Sequence, residues 1–93
     1  MNSRTSERFR LAFGRLPVRV QKRARAAYRL FRQDPSHPSL RFKQVHPSRS
    51  IYSVRIGLAY RALGVRDGDD VIWFWIGSHA DYDELVRELA RRA

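Results

Sequence analysis

The chain has no cysteine, a single methionine and few acidic residues, nine Asp and Glu against nineteen Lys and Arg. Without cysteine there is no disulfide framework, thiolate metal site or cysteine nucleophile, and a reducing, cytoplasmic location is expected. No apolar run approaches the ~18 residues of a membrane span, and the N-terminus is too polar and arginine-rich for a signal peptide, so no membrane partner is expected. Glycine-rich phosphate loops and the Gly-x-Ser-x-Gly elbow are missing, which excludes the hydrolases built on them. The three histidines, His37, His46 and His79, fall in separate turns and the acids are scattered, so neither a metal nor another cofactor is expected.

What remains is 93 residues, 43 % of them apolar, enough for one small core. A single domain over residues 1–93 is expected, with 1–4 a flexible tail. The net charge is +10, and the two ends of the chain differ in sign. Residues 1–66 carry sixteen basic and two acidic residues, whereas residues 67–93 carry three and seven. Arginine makes up seventeen of the nineteen cations, a choice suited to bidentate phosphate contact, so the expected partner is a polyanion. A genome rich in arginine codons accounts for the same bias without any ligand.

Phe9, Ala12, Phe13 and Leu16 recur on one helical face behind Thr5 or Ser6 as cap. After Pro17, a residue tolerated in a first helical turn, Val20, Ala24, Ala27, Tyr28 and Phe31 continue that spacing until Asp34-Pro35. From Leu40 the period changes to two, and further strands follow from Ile51 to Ile56, Leu58 to Val65 and Val71 to Ile76. Asp67-Gly68 supplies a tight hairpin turn. The last strand, VIWFWI, is apolar on both faces, as a strand covered from both sides should be, and places Trp73 and Trp75 on one side. Ser78 followed by Asp81 resembles a capping box before a final amphipathic helix with Leu85, Val86 and Leu89. The expected fold is α+β: two N-terminal helices packed on a twisted antiparallel sheet of about four strands, then a C-terminal helix.

Strand parity puts Lys43 and Arg55 on the face away from the two helices; the side of Arg61 stays open. Taken alone, each of these is more readily a solvated surface charge; having several beside an open sheet face shifts the balance toward binding. His79 sits at a helix start, where the dipole disfavours imidazolium and suits a base. Tyr82 lies one turn on. The plainer readings are that His79 fills the first helical turn, that Tyr82 packs on the sheet and that the tryptophans are core.

Residues 16–45 (LPVRVQKRARAAYRLFRQDPSHPSLRFKQV), 51–65 (IYSVRIGLAYRALGV) and 71–86 (VIWFWIGSHADYDELV) together resemble the RelE/ParE superfamily of bacterial toxin–antitoxin toxins. The diagnostic pieces are Asp34-Pro35 with His37-Pro38-Ser39-Leu40, the Ser53-Val54-Arg55-Ile56-Gly57 and Tyr60-Arg61 strands, and the closing Ile76-Gly77-Ser78-His79. The resemblance implies a type II toxin that cleaves mRNA without metal, in many members on the ribosome, so repressing translation, and that is neutralised by a cognate antitoxin. It makes Arg61, His79 and Tyr82 the catalytic candidates; the cations Arg41, Lys43, Arg49 and Arg55 on the strands and turns are the expected RNA-binding residues. Two departures stand out: a helix opens the chain where many members have an edge strand, and a helix follows His79 where many members end. The ParE branch shares the fold and is understood to inhibit DNA gyrase without cutting RNA, which is the alternative function. A non-enzymatic basic nucleic-acid-binding module is a third, although no helix-turn-helix signature is present.

Overall fold

A computed structural model describes residues 1–92. Both N-terminal helices form where the apolar spacing puts them. Ser6 caps α1 (Glu7–Gly14) by accepting from the Phe9 amide at 3.1 Å, and α2 (Val18–Gln33) starts after Pro17 and ends at Asp34. The Gln21 side chain ties the helices together at their turn, donating to the carbonyls of Phe13 and Leu16.

The strands are β1 (Asn2–Thr5), β2 (Lys43–Gln44), β3 (Ile51–Ile56), β4 (Tyr60–Asp67) and β5 (Asp70–Ser78), in the sheet order β1-β5-β4-β3-β2. α3 (His79–Arg91) follows. The α+β class is as expected, but the sheet has five strands and is mixed, because β1 pairs parallel to β5 while the other pairs are antiparallel. The supposed tail is therefore an edge strand, and the departure that a helix opens the chain disappears. Nothing in Asn-Ser-Arg-Thr alternates; long-range partners fix it instead. Trp73 Nε1 donates to Ser3 Oγ at 2.7 Å and the Tyr28 hydroxyl to the Ser3 carbonyl at 3.0 Å. β1 thereby covers the open edge of the apolar β5, an edge that would otherwise invite intermolecular pairing.

The alternation from Leu40 yields only a two-residue strand. A 3₁₀ turn at Pro38–Leu40 and a left-handed Arg41, φ 45°, intervene, and Leu40 and Phe42 are used as core, with Phe42 packed on Phe31 and Tyr52 at centroid distances of 4.9 Å.

Two layers cover the sheet. On one face Val54, Ile56, Ala62, Trp73 and Ile76 pack with Ala24 and Phe31 of α2 and, more loosely, with Phe9 and Phe13 of α1. On the other, Ile51 and Leu63 pack beneath Tyr82, Leu85, Val86 and Leu89 of α3. β5 is covered from both sides, as its composition indicates, but Trp73 and Trp75 do not share a face. The ladder has Leu63 opposite Trp75 and Gly64 opposite Trp73, so Phe74 is an extra residue and the parity flips there. Two glycines make room for the two rings. A Cβ on Gly64 would lie 2.7 Å from Trp73, and one on Gly77 would lie 2.6 Å from Trp75.

α3 is held down at both ends. The Tyr82 hydroxyl donates to Ser53 Oγ at 3.2 Å, and His46 Nε2 lies 3.2 Å from the Leu89 carbonyl. Nδ1 of His46 accepts from the amides of Ser48 and Arg49 at 3.1 and 3.0 Å, so the ring proton belongs on Nε2, where it donates to Leu89. His46, only 5 % exposed, is thus a structural clamp.

Candidate functional site

α3 covers the end of the sheet near Ile51 and leaves the opposite end of that face to cations. Arg55 on β3 stands directly across from Arg61 on β4, and Arg61 in turn pairs with Gly77 on β5. This settles the side of Arg61: it shares the face of Arg55. Between them the chain turns through Gly57, φ 61°, whose carbonyl accepts from Arg55 Nε at 3.1 Å and Arg61 Nη1 at 3.4 Å. Arg61 Nη1 also reaches the carbonyls of Leu58 and Tyr60 at 3.3 and 2.7 Å. One nitrogen fixes the guanidinium, and the rest of the fork has no hydrogen-bond partner among the described residues.

Burial lowers the Arg61 pKa from the ordinary arginine value, and the Arg55 guanidinium adds to that, with a lesser contribution from Arg41; Tyr82 and Asp83 act the other way. Arginine stays charged under such a shift. The same influences place Arg41, Tyr82 and Asp83 within electrostatic reach of Arg61.

His79 is set beside this pair by the backbone. Its amide donates to the Ala59 carbonyl at 2.7 Å, and Ser78 caps the helix by accepting from the Asp81 amide at 3.2 Å. The ring is 44 % exposed, lies parallel to Tyr82 with centroids 6.0 Å apart, and has Nε2 3.7 Å from Asp83 Oδ2, one helical turn on. Tyr82, by contrast, is 9 % exposed and its hydroxyl is engaged with Ser53, which is 2 % exposed.

Of the residues singled out in the sequence, Arg55, Arg61 and His79 therefore come together, with Tyr82 beneath the histidine and Arg41 nearby. Lys43 pairs with Ser53, on the same face but on the far edge strand. Arg49 lies elsewhere, in the β2–β3 connection at the other end of β3, where its amide binds His46. The sequence reading missed Asp83, although its position four residues after His79 on a helix is a legible signal, and Ser53, whose role depends on a contact 29 residues away. At this end of the sheet stand two guanidinium groups beside a half-exposed imidazole.

A family model described as the ParE-like toxin domain matches residues 18–84. In solved structures the chain is similar to the RelB–RelE antitoxin–toxin complex from Methanococcus jannaschii, with 17 % identity, a TM-score of 0.69, and 87 % of this chain and 95 % of that one covered. It is also similar to the RelBE2 toxin–antitoxin complex from Mycobacterium tuberculosis, with 27 % identity, a TM-score of 0.59, and coverage of 86 % and 92 %. A copper-bound mutant toxin from Helicobacter pylori shares the fold at 14 % identity, with a TM-score of 0.58 and coverage of 87 % and 97 %. No curated protein matches in sequence.

Proposed function

The chain belongs to the ParE-like toxin domain family and is a toxin of the RelE/ParE superfamily, and on that premise we propose that it is a metal-independent endoribonuclease that cuts mRNA and is held in check by a cognate antitoxin. The observation that carries this reading is the meeting of Arg55, Arg61 and His79 at the uncovered end of the sheet. RNA brings its own nucleophile, so the protein needs only to bind the phosphate, orient it and move a proton.

His79 takes the proton of the 2′-hydroxyl, whose oxygen attacks the adjacent phosphorus as the bond to the 5′-oxygen breaks. The protonated ring then returns the proton to the leaving oxygen, giving a cyclic phosphate and a free 5′-hydroxyl. Arg61 and Arg55 bind the non-bridging oxygens, where negative charge grows. Tyr82 is a positioning residue: pinned to Ser53, it offers the imidazole a flat support. Arg41 and Lys43 extend the cationic track for flanking phosphates.

Purified protein should cut RNA in the presence of a chelator and leave cyclic phosphate ends. A requirement for added magnesium would sink the mechanism. The ParE-like match over residues 18–84 favours one other reading, direct inhibition of DNA gyrase. It is recognised by loss of supercoiling by purified gyrase, with RNA left intact and with no dependence on His79.

A further inference from the structure

On the face opposite the arginine pair, an open apolar cavity of about 480 Å³ lies between α1, α2 and the sheet. Its volume falls in the range of small-molecule sites. Phe9 and Phe13 form one wall, Tyr28 the other, and Ile56, Trp73 and Ile76 the floor. Small residues at Ala24 and Ala27 of α2 leave the space unfilled.

The charge at its mouth is of one sign. Arg10, Arg25 and Arg29 line the cavity, no carboxylate does, and none of the three is in an ion pair among the described residues. Arg10 is anchored to the Thr5 carbonyl at 2.7 Å, and Arg25 rests over the Phe13 ring at 5.0 Å, which leaves hydrogen-bond donors of both at the rim. A wholly apolar ligand would leave these cations unused, and a cationic one would be repelled.

We infer that this cleft binds a single-chain anionic amphiphile of the fatty-acid class, its alkyl chain between Phe9, Phe13 and Tyr28 above the buried Trp73 and Ile76, and its carboxylate among Arg10, Arg25 and Arg29. The inference is independent of the RNA-cleavage reading, since the two sites share no residue.

The test titrates the full chain carrying Trp75→Phe, so that Trp73 alone reports, with decanoate below its aggregation threshold. Saturable binding of one decanoate per chain and a rise in melting temperature are expected, with decyltrimethylammonium giving neither. Arg25→Glu with Arg29→Glu should weaken decanoate roughly tenfold or more. Ala27→Leu, which fills the cavity from the helix side, should abolish binding while the melting temperature holds. Equal binding of decanoate and decyltrimethylammonium would overturn the inference, as would no saturable binding. A Trp73 response to purified antitoxin but not to decanoate would also overturn it and assign the cleft to a protein segment.

Discussion

Arg55 and Arg61 face each other across the β3–β4 ladder and donate to the same acceptor, the carbonyl of Gly57. Two like charges are thus held together at one backbone oxygen, and the Arg61 pKa is lowered by its burial and by its neighbour. An anion bound between the two guanidinium groups would offset that repulsion. Arg61→Met should therefore cut RNA cleavage by about 10²-fold or more, the scale of a lost transition-state contact, while the melting temperature stays level or rises. A large drop in stability would make Arg61 a structural residue.

His79→Gln keeps hydrogen-bonding capacity at the helix start but cannot shuttle a proton near neutral pH. Cleavage of a labelled RNA in chelator should fall by about 10² to 10⁴-fold, with RNA affinity nearly unchanged. Cleavage at the parent rate would remove His79 from the chemistry.

Tyr82→Phe separates support from catalysis. Loss of the hydroxyl leaves Ser53 Oγ without its donor in the core and should cost about 1 to 3 kcal/mol in urea unfolding. Cleavage by the folded variant should stay within a few-fold of the parent. A loss beyond 10²-fold in a protein that unfolds normally would bring the phenol into the reaction.

His46→Leu removes the clamp on α3, orphaning the Leu89 carbonyl and the amides of Ser48 and Arg49. A loss of about 1 to 3 kcal/mol is expected. Hydrogen exchange should rise in residues 85–91 and in the β2–β3 connection, while β4 and β5 stay protected. An exchange pattern like that of the parent would show that apolar contacts alone hold the helix.

The helices were legible because Val20, Ala24 and Phe31 keep a strict helical period and Asp34-Pro35 ends it. Strand parity likewise put Lys43 and Arg55 on the face that carries the site. β1 was illegible, since Asn2–Thr5 has no period of its own and its partners lie about 70 residues away. The bulge at Phe74 was hidden for the opposite reason: a strand apolar on both sides shows no break when its parity flips. Arg61 could not be placed from a sequence in which Tyr60 and Leu63 are both plausible core. Register with Arg55 decided it.

The parallel pairing of Ser3 with Val71 also bears on when the protein becomes competent during synthesis. β1 must wait, unpaired, for a strand made about 70 residues later, and such distant closure is slow to form. The sheet edge is finished only once residues 70–73 are available, and His79, six residues further on, takes its place when the following helix turns over the sheet. A nascent chain carrying only α1, α2 and β3 therefore lacks both the paired sheet edge and a placed His79, and the candidate site comes together only after residues 70–79 have been made.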